Sequence, residues 1–379
     1  MSMGSDNAIF IAASLITVIG VVLQDVVADA MSVEVVEREG RPQSEIDKDL
    51  AMVQLLGRLS LSLGMFLVAG LGGWLAQIMT YEHLFLLTLI VPVIGISGAL
   101  LVKIDVAEQK PVNKKVLGGG LVYAVFVVAM GLSQLPYSQE IVFVVSLLVI
   151  ILLIKALTAE VPKPLIAGII SASVVIFIYR AVPGAGPGAQ WFMIDVLGFD
   201  KSFFGTLSQI GAGLSIVGMW VFARAITQKP VSQVLTWLIV ISFMLGLPII
   251  GMYYGLHEWT EAHFGFGART IALVDTALAS PFVQLAMIPM LALIAKHAPR
   301  GNAATWFALM ASFMNLALTA GTLFSKFLNQ LFVVTREVKD SAGHIITHAD
   351  YSQLGILLIL TSLIGLVIPL IAIWLLLRR

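Results

Sequence analysis

Asp25, Asp29, Arg58, Arg180 and Asp275 are ionisable residues set inside long apolar runs. A charge at mid-bilayer costs about 2.5–3.5 kcal/mol on insertion scales, so each needs a partner, a proton or a function. Asp25 and Asp29 are four residues apart and share one face of a helix. Central and unpaired, the two would cost roughly 5–7 kcal/mol together. Three things reduce that figure: a position toward one end of the helix, protonation, or a cation nearby. Arg58, at comparable depth in the next apolar run, is the natural partner, while Glu34 and Glu37 lie close enough to the helix end to reach headgroups or water. Carboxylates held beside a cation in low dielectric can exchange a proton as their surroundings change, which makes Asp25 and Asp29 a candidate proton site. The competing reading is an ion-pair network of Asp25, Asp29, Arg58 and Glu34 that fixes helix register or gates a passage.

Arg180 stands just before Pro183, Gly184, Gly186, Pro187 and Gly188, near the outer end of its apolar run. A guanidinium there can clamp a carboxylate through two parallel hydrogen bonds, or simply snorkel to the interface. The Pro/Gly run opens the backbone, as broken segments beside transport sites do, or is a loop. Asp275 lies six residues past Arg269 and either accepts hydrogen bonds from a solute or pairs with Arg180 or Arg269. Gln54, Gln209, Gln284 and Asn315 also fall within apolar runs, where an interhelical hydrogen bond is worth about 0.6 kcal/mol. Gly57, Gly64, Gly70, Gly72 and Gly73 let helices approach closely.

The elements that must position these residues are membrane helices. Of 379 residues 59% are hydrophobic and 12% charged, with a mean hydropathy of +0.98, against about 25% charged in soluble domains. Net charge is zero, so no nucleic-acid or acidic partner is indicated. The absence of cysteine removes disulfides and thiol chemistry, and the six histidines sit in polar connections or at helix edges. There is no phosphate loop, catalytic triad pattern or metal-ligand spacing, so the sequence predicts no enzyme, no cofactor and no metal. A span needs roughly 20 apolar residues. About eleven segments qualify: 7–35, 50–79, 83–104, 117–136, 140–159, 164–183, 202–226, 231–252, 269–297, 302–334 and 352–377. If all cross, 15 of the 22 basic residues fall on one side and only Lys201, Arg269, Lys326, Arg336 and Lys339 on the other, with Arg58 and Arg180 inside spans. Basic loops face the cytoplasm, which predicts a cytoplasmic C-terminus and an external Met1. Trp74, Trp191, Trp259 and Trp374 fall near segment ends, as interfacial belts require.

Three stretches carry a family resemblance. The first runs from Asp25 through Val26, Val27, Ala28, Asp29, Ala30, Met31, Ser32 and Val33 to Glu34, followed by the span opening Gln54-Leu55-Leu56-Gly57-Arg58. The second is Phe177 to Pro183 and on to Val196-Leu197-Gly198-Phe199. The third is Leu273-Val274-Asp275-Thr276, continuing through Met287-Ile288-Pro289-Met290 to Asn315. In this order they resemble helices four and five, seven, and ten and eleven of the folate–biopterin transporter family, within the major facilitator superfamily. The resemblance implies an all-α polytopic membrane protein of major-facilitator-like bundles. Residues 1–104 would be the last three helices of the first bundle, 105–163 a linker with an inserted two-helix hairpin, and 164–379 the second, six-helix bundle. Three further helices would precede Met1, and with these eleven would make fourteen, so the coding sequence is expected to extend upstream.

The implied activity is proton-coupled secondary transport of a folate, a pterin or a related solute across the plasma (inner) membrane. Arg180 would then clamp a glutamate carboxylate, Asp275 the donor edge of a pterin ring, and Asp25 or Asp29 the coupling proton. Different outcomes are a non-transporting assembly factor or an inactive fragment. An odd number of crossings has a direct consequence: tags at Met1 and Arg379 should be protected from protease on opposite sides of the membrane. Equal protection of both would overturn the segment count.

Overall fold

The computed structural model describes residues 13, 16–25, 27–28, 31, 35–37, 40–101, 114–133, 135–159, 163–283, 285–297, 303–339 and 344–377. They are almost wholly helical. The first five helices are α1 (Ile16–Asp25), α2 (Gln43–Ile78), α3 (Tyr81–Leu87), α4 (Ile90–Leu101) and α5 (Lys114–Leu132). Then follow α6 (Ser138–Leu157), α7 (Lys163–Arg180), α8 (Pro187–Asp195), α9 (Lys201–Gln228), α10 (Val231–Leu245) and α11 (Leu247–Tyr253). The chain continues through α12 (Leu256–Phe264), α13 (Ala268–Val283), α14 (Met287–Lys296), α15 (Ala303–Leu331) and α16 (Leu354–Leu376). A two-stranded antiparallel hairpin, β1 (Val338–Lys339) and β2 (Ile345–Thr347), interrupts the connection between α15 and α16.

Among the described residues, eight helices are long and apolar enough to cross a bilayer, and this is an integral membrane protein. The expected eleven segments and these eight differ for identifiable reasons. The first and sixth segments hold shorter apolar helices, Ile16–Asp25 and Leu165–Arg180. The third, 83–104, is divided between α3 and α4 by a turn at Thr88 and Leu89. Two other spans continue through a bend: α10 into α11 at Gly246, and α13 into α14 past Pro281.

Helices in lipid gain nothing from hiding oil from oil, so close packing and small residues must hold them. α9 packs along α13 and α2; α10 and α7 pack on α16; α15 packs on α7 and α6; and α2 also packs on α14. At Gly218 a Cβ would come within 2.3 Å of the Pro281 Cα, so α9 and α13 touch backbone to backbone there. The core joins Ile176, Leu235, Met290, Ile294, Trp306, Phe307 and Met310, all nearly inaccessible. Its largest member, Trp306, donates its indole N–H to the Ile294 carbonyl at 2.9 Å, so the polar end of a buried ring is satisfied. Outward faces remain apolar, as lipid contact requires: Trp220 is 79% exposed. The α5–α6 hairpin is fastened to the rest by a 2.7 Å ion pair from Lys326 of α15 to Glu140 of α6.

One end of the bundle carries α8, the β hairpin and the start of α9. Arg336 donates twice to Asp195, at 2.8 and 2.7 Å, and the Tyr351 hydroxyl donates to the same carboxylate at 2.6 Å. Tyr253 then donates to the Tyr351 carbonyl at 2.9 Å. Asp200 caps α9 by accepting from the Phe203 N–H at 2.8 Å and pairs with Arg269 at 2.8 Å. The Phe203 N–H, and then Arg269, hold the Asp200 carboxyl below its ordinary range. The Arg336 hydrogen bonds, helped by Tyr351 and opposed by partial burial, do the same for Asp195. Burial, with the Asp195 hydrogen bond second, pushes the Tyr351 phenol up to about 12.

A carboxyl lowered on folding stabilises above its ordinary value, here 3.8, and loses that contribution as pH falls through the lowered value. A phenol raised on folding stabilises below its ordinary value of 10.0 and loses that contribution as pH climbs through about 12. Asp195→Asn should therefore melt below the wild type in detergent at pH 7, with the gap closing on acidification below about pH 4. A gap unchanged from pH 7 to pH 3 would show that the carboxylate charge contributes nothing.

Candidate functional site

α7 stops at Arg180. Residues 181–186 are non-helical, and α8 starts at Pro187 after Gly186, whose φ of +72° suits glycine. Both readings of the Pro/Gly run, an opened backbone and a loop, place non-helical residues here. The depth of this segment follows from its neighbours. A Cβ on Gly321 would meet the Val182 carbonyl oxygen at 2.9 Å, and one on Gly365 would meet a Val182 methyl at 3.0 Å. Gly321 lies ten residues before the end of α15 at Leu331, and Gly365 eleven residues into α16 from Leu354. At about 1.5 Å per residue both are roughly 15 Å from the α8 end, about half of a hydrocarbon core near 30 Å thick. Arg180 thus ends its helix roughly 15 Å short of the α8-side ends of α15 and α16. Backbone broken at such depth must find partners inside the protein. Ser325 of α15 accepts the Gly184 N–H at 2.8 Å, and the Ala181 N–H still reaches the Phe177 carbonyl at 2.8 Å.

The Arg180 side chain crosses to the second interruption, where α13 gives way to α14. Its Nη1 donates to the Met287 sulfur at 3.0 Å, a weak acceptor, while its Nε is buried with no partner. α14 begins at Met287, so the positive end of its dipole adds to the cationic character of this place. On the other side stands α2. Leu55 and Leu59 pack in one cluster with Leu285 and Ile288, which brings the half-buried Arg58, next to Leu59, to the same break. Arg58 and Arg180 thus carry like charges on two helices that both reach the break beside Met287. Arg58 was expected to serve the carboxylates of the first span; among the described residues no ion pair or hydrogen bond joins it to Asp25, which is exposed. Asp29 and Glu34 lie outside the described residues.

Asp275 sits half-buried on α13, and its Oδ1 is buried without a partner. The two pairings open to it from sequence have other outcomes: Arg269 is engaged by Asp200, and Arg180 by Met287. Sequence reasoning passed over Gly321 and Ser325 and gave Met287 no role beyond the family resemblance. Pro281, inside the tenth helix of the resemblance, was the available signal for the break at Met287, because proline removes a helical donor. Among the described residues no group of three or more His, Asp or Glu side chains could hold a metal ion.

The amino-acid sequence has counterparts among known proteins. A family model described as the BT1 family matches residues 3–379. The chain belongs to the BT1 family. This is the folate–biopterin transporter resemblance carried by the three stretches above. This BT1 chain is 24% identical over 356 residues to the folate-biopterin transporter of Synechocystis sp., covering 92% of its own length and 59% of that protein's. It is 27% identical over 142 residues to a Plasmodium berghei protein described as a candidate folate transporter, covering 37% of its own length and 30% of that protein's. The chain therefore spans about three-fifths of the Synechocystis relative and less of the other.

The contact between Val182 and α15 makes the broken segment of this BT1 chain sensitive to one methyl group. Gly321→Ala should destabilise the protein by about 1–3 kcal/mol, the usual range for overpacking. Gly205→Ala, within α9 where a Cβ meets open space, should leave the unfolding midpoint unchanged or raise it. Equal midpoints for the two variants in detergent would refute the close approach.

Proposed function

We propose that this chain forms the greater part of a secondary transporter that moves a folate-like anion across a membrane by alternating access. The observation that carries the reading is Arg180, a guanidinium at a broken helix inside the bundle, with a thioether as its hydrogen-bond partner and a buried Nε without one. Interrupted helices that meet near the midplane are the usual setting of a transport site. An uncompensated cation at that depth is expensive unless a ligand or counter-charge completes it. The names of both relatives supply the solute class, folate in each and biopterin in one.

In this reading Arg180 takes a carboxylate of the solute and Asp275 accepts from the amino and ring N–H groups of a pterin. Asp25 and Asp29 remain the proposed proton-coupling pair, with Arg58 and Glu34 as the ion-pair or gating groups of the sequence reading. Residues 1–104 would belong to one bundle and 164–379 to the other, with 105–163 between them as linker and hairpin. The membrane would be the plasma (inner) membrane, with the C-terminus in the cytoplasm.

Binding of folate to the purified chain in lipid nanodiscs tests the reading. A hydrogen bond to a charged group contributes about 1.5–3 kcal/mol, so Arg180→Gln should weaken folate roughly 10- to 150-fold. Arg180→Lys should recover only part of this, because an ammonium cannot form the paired hydrogen bonds. Wild-type protein that binds neither folate nor any pterin would defeat the proposal.

A further inference from the structure

Two arginines from different helices meet at one place, and the described structure offers them no carboxylate. The carboxylates of the α8 end have cations of their own: Glu140 pairs with Lys326, Asp195 with Arg336 and Asp200 with Arg269. Asp275 appears in no ion pair among the described residues. Helix α2 adds a second, independent feature. Gln54, Arg58 and Ser62 recur every four residues and so form one polar stripe along it. Gln54 is 5% exposed and Ser62 2% exposed. The Ser62 hydroxyl is buried with no partner, although a hydroxyl in such a place ordinarily bonds to something. Unlike the apolar rows beside it, this stripe lies on a helix packed against α9 and α14. A cation on α2, a cation on α7 and a free hydroxyl donor on α2 can all be satisfied by the oxygens of an anion.

We infer that Arg58 and Arg180 form a single site for an organic dianion, one guanidinium to each carboxylate, with Ser62 as a further donor on the Arg58 side. The inference rests on the transport reading above and narrows it: the site selects pterin conjugates that carry a dicarboxylate tail and discriminates against uncharged pterins. Mutual repulsion of the two cations disfavours the empty site, and a dianion relieves it where a neutral solute cannot. Each arginine therefore contributes to selectivity as well as to affinity. Arg58, on this view, is a solute-binding residue rather than the partner of the first-span carboxylates.

The test compares three probes on the wild-type chain in nanodiscs: folate with two carboxylates, pteroate with one and biopterin with none. Affinity should fall by about tenfold or more for each carboxylate removed, the scale of a lost charge-assisted hydrogen bond. Raising the salt should narrow the spread between probes, since screening weakens charge recognition. Arg58→Gln should weaken folate by about tenfold or more while changing biopterin less than twofold. Ser62→Ala should weaken folate by a smaller factor. Where Arg58→Gln fails to fold, Arg58→Lys and the wild-type salt series carry the same decision. Equal affinity for folate and biopterin in the wild type overturns the dianion site and leaves the transport reading standing. So does a folate-to-biopterin ratio that Arg58→Gln does not alter. Binding of none of the three probes defeats the transport reading itself.

Discussion

A peptide group in hydrocarbon has no water to bond, so a helix that stops halfway across a membrane must give its freed N–H and C=O groups to a neighbour. That constraint organises the centre of this protein. α7 ends at Arg180, and the segment after it can lie where it does because α15 presents a glycine to the Val182 carbonyl and a serine to the Gly184 N–H. A larger residue at 321 would hold the segment off α15. With the segment anchored, Arg180 projects toward the break before α14, where Met287 meets it. The site thus depends on one backbone contact more than on any salt bridge.

Electrostatic spending differs between the two regions of the molecule. At the α8 end, acids and bases are matched: Asp195 with Arg336 and Tyr351, Asp200 with Arg269, Glu140 with Lys326. Among the helices the described groups are left unmatched, with buried unpartnered atoms on Arg180, Asp275 and Ser62. Matched charges hold a fold in place. Unmatched ones in a low dielectric cost stability, and folded proteins keep few of them without a use.

The chain's sequence carried the environment, the family and the helical class without ambiguity, because apolar runs of about 20 residues have few physical alternatives. The interruption after Arg180 was legible too, since two prolines and three glycines between 183 and 188 cannot continue a helix. The neighbours of that interruption were not legible. They depend on how α7 is staggered against α15 and α16, a tertiary quantity that one-dimensional periodicity does not hold. The partners of Arg58 and Arg269 were likewise unreadable: proximity along the chain favoured Arg269 with Asp275, whereas folding set it against Asp200 from another loop. The stripe of Gln54, Arg58 and Ser62 was present as a spacing of four, but only packing could show that its hydroxyl is enclosed and unengaged.

The network at Asp195 has a mechanical meaning beyond its charges. Through Arg336, Tyr351 and Tyr253 it stitches α8, the strand-bearing connection, the entry to α16 and the end of α11 into one plate. Parts so joined travel together. Any gate on that side of the protein must therefore swing along a seam that these bonds do not cross, and the face of α2 against α9 and α14 is such a seam.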